Sequence, residues 1–134
     1  MRIQDIRRRS FYLRVIYALC LSGAASTHLQ VALAHGLGWD YGGVAPLTRL
    51  YWSSLLFIDP LSALLLLVMP RAGLILCVAV IVTDVAHNSW FALHQPIRME
   101  LYLSQLVFLL FVAFTARTAW RGATSRRVMS RIID

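Results

Sequence analysis

Lysine is absent from this chain, and carboxylates are scarce: thirteen basic residues, all arginine, stand against six Asp and Glu. Charged residues make up only 14% of the sequence, well under the roughly 25% of an ordinary soluble domain. Cysteine is limited to Cys20 and Cys77. Neither belongs to a CxxC pair and both lie in apolar runs, so they read as small buried hydrophobes rather than a disulfide or zinc framework. Also missing are a glycine-rich phosphate loop, a nucleophile elbow and the ordered residues of a catalytic triad. No internal repeat, low-complexity tract or domain boundary divides the chain. The net charge of +7 does not point to nucleic acid, because the arginines form no patch on a polar fold. They sit at the two ends and in the short connections.

What fills the chain is apolar. Hydrophobic residues account for 59% of the 134 positions, with a mean hydropathy of +0.67. A domain this short buries only about two-thirds of its surface on folding, so much of that apolar area must meet lipid. Four runs, at about 12–35, 50–69, 72–93 and 99–120, are long enough at ~1.5 Å per residue to cross ~30 Å of hydrocarbon. Trp39, Tyr41, Tyr51 and Trp52 suit the membrane–water interface. The fold class that follows is all-α, a single four-helix transmembrane domain over 1–134, with short connections that favour an up-down bundle. Small residues on the first span (Gly23, Ala24, Ala25, Ser26, Thr27, Ala32) would allow a neighbouring backbone to come close, although they equally follow from composition.

Ten of the thirteen arginines fall in the tails or at their span edges, and Arg49, Arg71 and Arg98 take one loop each. Four spans put both tails on one side, and the arginine bias makes that side the cytoplasm. Arg7-Arg8-Arg9, an apolar run and Ser22-Gly23-Ala24-Ala25-Ser26 together resemble a secretory signal. Against cleavage, Arg14 splits the run, apolar character continues through Ala34, and removal would leave the basic tail on the wrong side. The first span is therefore read as retained. Arginine-only, Ala/Leu-rich usage suggests a bacterial source and an inner-membrane location.

Against this apolar background, Thr83-Asp84-Val85-Ala86-His87-Asn88-Ser89-Trp90 stands out. Polar groups at membrane depth cost several kcal/mol unless paired or hydrated, which makes them functional candidates. Asp84, His87 and Asn88 are spaced i+3 and i+4, so they share one helix face with Cys77 and Phe91. Counted from the cytoplasmic boundary, a rise of ~1.5 Å per residue puts Asp84 roughly 18 Å deep, Asp59 at roughly 16–17 Å, and His28, His87, Asn88 and Gln105 at roughly 21–24 Å. The strongest polar groups of all four spans thus share a layer from mid-membrane to the outer leaflet, and the inner half holds almost nothing comparable. Pro60 cannot donate a backbone hydrogen bond and frees the Leu56 carbonyl, so a kink there would open space beside Asp59, with Ser62 on the same face.

Two carboxylates and an imidazole in a low dielectric are equipment for proton transfer or for gripping a cation. The leading expectation is a pocket for a small hydrophobic or lipid-like molecule. Asp59 and Asp84 would anchor it, His28 and His87 would share protons, Asn88 and Gln105 would orient it, and Trp52 and Trp90 would form apolar walls. The same groups also suit a membrane isomerase working by acid–base chemistry, or an interhelical network that only sets helix register. In the last case the protein would be a homo-oligomer or an accessory subunit of a larger complex. No cofactor is predicted; His28 and His87 on different helices leave haem or metal ligation as a minor alternative. His35 and His94 read as solvated interface residues, and Glu100 as a carboxylate favoured by the start of the fourth helix.

Two short segments carry a resemblance. His28-Leu29-Gln30 is similar to an acidic residue followed by Leu-Gln in the EXPERA membrane domain, with His28 in place of the acid. Trp52-Ser53-Ser54-Leu55-Leu56-Phe57-Ile58-Asp59 resembles that domain's aromatic–Ser–Phe–carboxylate pattern, with Asp59 at its pocket carboxylate. That group includes the sigma-2 receptor and the emopamil-binding sterol isomerases. The resemblance implies a helical bundle with a sterol-like ligand and isomerase chemistry in some members. The longer first loop of those receptors is missing here, and Asp84 and His87 have only approximate counterparts.

Overall fold

The computed structural model describes residues 3–124, and the basic segment containing Arg126, Arg127 and Arg131 lies outside them. Four helices follow one another: α1 (Ile3–His35), α2 (Pro46–Val68), α3 (Pro70–Ala92) and α4 (Met99–Thr124). All four are long and apolar enough to cross a membrane. Each packs against the next and α4 closes on α1, while α1 and α3 face each other only across the diagonal. Cross-helix contacts run antiparallel throughout, pairing Ser10 with Ala119, Arg14 with Leu66, Trp52 with Asn88 and Asn88 with Gln105. The expected up-down bundle is present. Residues 3 and 124 lie at one end, called here the terminal end; the α1–α2 and α3–α4 connections form the loop end.

Two helix starts follow from proline. Pro46 and Pro70 open α2 and α3, where the missing N–H costs nothing and the fixed φ already suits a helix. Helix α2 therefore begins four residues before the span read from hydropathy, and Thr48, expected in the loop, is buried inside the bundle. At the other end of the first span, α1 reaches back through the basic segment to Ile3, since no proline interrupts it. Hydropathy detects where lipid begins, not where backbone hydrogen bonding stops.

The core runs along the bundle axis through Tyr17, Leu21, Leu55, Leu66, Leu74, Cys77, Ile81 and Val112. Close helix approach occurs at Gly73 and Gly122. A Cβ on Gly73 would overlap the backbone of Leu65 and Leu66 beside the one-residue α2–α3 turn, and one on Gly122 would strike Ser10. Gly23, the glycine expected to mediate such contact on α1, has open space around its Cα. Cys20 likewise departs from expectation: Cys77 is fully buried, but Cys20 faces outward from α1, and both are free thiols.

The half nearer the terminal end is not apolar inside. Arg14, read as a span-edge residue, turns inward and its Nη1 donates to the Leu66 carbonyl at 2.7 Å. The cause is local. Four residues after Leu66 comes Pro70, which has no N–H to continue the helical ladder, so that carbonyl is left for another donor. Nearby, the Tyr17 and Thr115 hydroxyls join α1 to α4 at 2.5 Å, and Ser10 Oγ donates to the Ala119 carbonyl at 2.6 Å. These bonds add polar links in the half where the sequence shows almost nothing comparable to the octet.

Candidate functional site

Asn88 is the hub of the polar octet. Its Oδ1 accepts from Trp52 Nε1 at 3.0 Å, and its Nδ2 donates to Gln105 Oε1 at 2.9 Å and to Asp84 Oδ1 at 3.1 Å. One amide therefore ties α2, α3 and α4 together. A primary amide can do this because it offers two donor hydrogens and an acceptor with two lone pairs. Asp84 is 8% exposed and belongs to this network through Asn88, one helical turn away. One residue further along α3, Ser89 Oγ and Tyr102 Oη meet at 2.8 Å, again across α3 and α4.

His87 does not join its neighbour's hydrogen bonds. Its ring packs among Tyr51 (4.8 Å between centroids), Trp90 (6.0 Å) and Trp52 (6.1 Å). Its Nε2 is buried without a hydrogen-bond partner among the described residues. Tyr51, one of the covering rings, donates to Thr83 Oγ1 at 3.1 Å. The i+3 and i+4 spacing does place Asp84, His87 and Asn88 on a shared side of α3. A 100° step per residue separates their directions, however, sending Asn88 inward and His87 toward the α2 aromatics.

Asp59 sits apart from the hub. It is 2% exposed and makes no side-chain hydrogen bond with the described residues, although Asp84 is near enough to act on it electrostatically. Ser62, on the same face one turn toward the terminal end, is fully buried with its Oγ unpartnered. Pro60 lies inside α2, which continues through it. The two clefts found at the loop end are lined by other residues than Asp59.

His28 occupies different surroundings. It borders a crevice of about 10 Å³ with Ser53 and Leu56 on α2 and Gly36 and Leu37 beyond α1, room for one water at the lower limit. Leu56 is the residue whose carbonyl Pro60 deprives of a helical donor. The sequence-predicted layer thus resolves into three groups: the Asn88 hub with Trp52, Asp84 and Gln105; the buried Asp59 beside it; and His28 between α1 and α2. Among the described residues no group of three or more His, Cys, Asp or Glu could hold a metal ion, and His28 and His87 border different elements.

Above the hub, at the loop end, lies a cleft of about 440 Å³. The α1–α2 connection supplies Tyr41, Gly42 and Gly43, α2 supplies Thr48, α3 supplies Trp90 and Phe91, and the α3–α4 connection supplies His94, Gln95 and Pro96. Tyr41 has a left-handed backbone, φ 54°, a conformation uncommon for a residue with a side chain. It holds its ring against Trp39 at 4.9 Å and Trp52 at 5.3 Å, and Trp39 in turn stacks on His35 at 3.9 Å. Phe91 lines the cleft and packs edge-on against Trp52 at 4.9 Å, whose indole N–H reaches Asn88. The cleft and the hub are therefore separated by one layer of aromatic rings.

No family model matches this chain, nor does any curated protein or solved structure. Eight candidates are legible in the sequence; Tyr41, Phe91 and Thr48 are not, because their positions depend on how the α1–α2 connection folds back. The clue available was the clustering of Trp39, Tyr41, Tyr51 and Trp52, which was assigned to the interface in general. His94 and Glu100 agree with their expected roles. Nδ1 of exposed His94 lies 2.9 Å from the Trp90 carbonyl, and exposed Glu100 accepts from Arg98 at 2.9 Å in the first turn of α4.

Proposed function

We propose that this small multi-pass membrane protein binds a small hydrophobic or lipid-like molecule at the loop end, which the arginine distribution assigns to the outer leaflet. The observation that carries this reading is the 440 Å³ cleft lying one aromatic layer above the Asn88 hub. Its volume falls in the range of about 300–1,000 Å³ used by small-molecule sites, where apolar walls and a few convergent polar groups are the usual pattern. Trp90 and Phe91 would take the apolar body of the ligand, and a shift of the Trp52 or Trp90 ring would bring a polar head to Asn88, Asp84 or His87 Nε2. His87 supports the reading in its own right, because a buried ring nitrogen without a protein partner is costly and a ligand would satisfy it. Asp59 and Gln105 would tune and orient from behind, and His28, on the neighbouring α1–α2 crevice, would lie to one side of the site. Kinship with EXPERA proteins belongs to the same proposal and rests on the short segments around His28 and Asp59 alone.

Mass spectrometry of small molecules released from the purified full-length protein tests the proposal. A discrete apolar species should accompany the native protein and be depleted in Trp90→Ala and His87→Phe variants that remain folded. Equal retention in both variants, or recovery of only bulk membrane lipid in its ordinary proportions, would count against a pocket and leave the hub as a structural tie.

A further inference from the structure

We infer that the opposite, terminal end carries a binding site for the headgroup of an anionic phospholipid, formed by Arg71 and Arg117 on either side of Trp120. Three helices bring their positive charge here. The start of α1 contributes Arg7, Arg8 and Arg9, the start of α3 contributes Arg71, and the end of α4 contributes Arg117 and Arg121; Asp5 is the one carboxylate at this end among the described residues. Within that field, Arg71 is held in a defined place. Its guanidinium lies over the Trp120 ring, 5.8 Å from the centroid, across the α3–α4 seam. Arg117 stands three residues before Trp120, on the same side of α4.

The chemistry suits a phosphodiester. A guanidinium held near a ring by cation–π attraction still offers N–H donors, a planar fork matched to two phosphate oxygens. Neither Arg71 nor Arg117 has a hydrogen bond or ion pair with the described residues, and both are exposed. The ring contact also restrains a side chain that would otherwise lose rotamer freedom on binding, which lowers the cost of capture. Below the arginines both helices present apolar surface: Ile75 is 62% exposed one turn along α3, and Phe114 is 83% exposed one turn along α4 on its outward side. A lipid with its phosphate between Arg71 and Arg117 would lay its acyl chains along Ile75 and Phe114. Charge alone would attract any anionic surface. Two arginines whose donors no described residue takes, an interfacial tryptophan and exposed apolar side chains beneath them are what select a phospholipid.

Thermal unfolding of the full chain in mixed micelles tests the site, using phosphatidylglycerol and phosphatidylcholine with identical acyl chains. Phosphatidylglycerol should raise Tm by several degrees more than phosphatidylcholine, because its phosphate carries a net negative charge while a choline cation offsets that of phosphatidylcholine. That difference should shrink as salt shortens the Debye length from about 10 Å toward about 3 Å. Most of it should vanish in Arg71→Gln/Arg117→Gln and persist in Arg49→Gln, whose arginine lies at the other end. Equal shifts from the two lipids, a salt-insensitive difference on the native protein, or an undiminished difference in the double variant would each overturn the assignment. So would an equal stabilisation by free glycerol 3-phosphate, which would mean that the seam takes phosphate without its lipid.

Discussion

Asn88 illustrates how one side chain can organise a bundle whose other contacts are apolar. In lipid, packing of apolar groups does not distinguish one helix neighbour from another as water would, so hydrogen bonds and close fit decide the arrangement. Asn88 satisfies Trp52, Asp84 and Gln105 together. Such bonds contribute about 0.6 kcal/mol each on average in membrane helices, with an upper value near 1.7. Asn88→Ala should therefore cost roughly 2 kcal/mol or more, read as a fall in unfolding free energy in detergent micelles. Gln105→Ala, which removes a single bond, should cost clearly less. Equal effects of the two variants would deny Asn88 its role as hub. At this scale the sequence marked the right octet, since an amide, an acid and an imidazole in an apolar run are conspicuous. It did not separate the residue that bonds from the residues that merely stand near, because Asp84 and Asn88 differ in direction from His87 by an angle that only the packed bundle makes meaningful.

Helices α2 and α3 are joined by a single residue, Met69, between Val68 and Pro70, and that tight reversal presses Gly73 onto the backbone of Leu65 and Leu66. A methyl group there has no flexible neighbour to displace, so Gly73→Ala should destabilise the protein by about 1–3 kcal/mol, the usual cost of overpacking. Gly23→Ala makes the contrasting case. Its site is open, and a helix-interior Gly→Ala change with nothing to strike should be neutral or stabilise by up to about 1 kcal/mol. Thermal melts of the two variants side by side check both predictions, and a destabilised Gly23→Ala would place an unseen neighbour on that face of α1. The pair shows why composition misleads about packing. Gly23 lies in a run of small residues and Gly73 does not, yet the turn chemistry of Pro70 determines where two backbones meet. Arg14 teaches the same lesson: its guanidinium is drawn inward by a carbonyl that Pro70 leaves without a donor, a link legible in the sequence only once α1 is known to pack on α2.

The whole molecule is polarised. Arginines crowd the terminal end, aromatic rings and a cleft occupy the loop end, and a narrow polar line of Ser62, Asp59, Asp84 and Asn88 lies between. An even number of spans puts the two termini on one side, and the charge bias predicts that this side is the cytoplasm. Reporters fused before Met1 and after Asp134 should both give cytoplasmic signals, while a cysteine introduced at Gly38 in a Cys20→Ser/Cys77→Ser background should react with a membrane-impermeant thiol reagent from outside. Opposite signals would invert the assignment of leaflets to the cleft and to the arginine end without disturbing the bundle.

Sequence by itself determined the number of helices, their membrane-spanning character and their up-down order, because hydropathy, span length and short connections are properties of the chain read one segment at a time. It also picked out the polar residues, since each is costly in lipid wherever its neighbours lie. Tertiary structure decided which of them meet. Azimuth around a helix has consequences only when another helix is present to receive it, so the candidate layer separated into the Asn88 hub, a buried Asp59 and a His28 set on its own crevice between α1 and α2. The loop-end cleft has the same origin: its walls come from two stretches far apart in the chain, 41–48 and 90–96, brought together by a bundle whose closure neither stretch encodes.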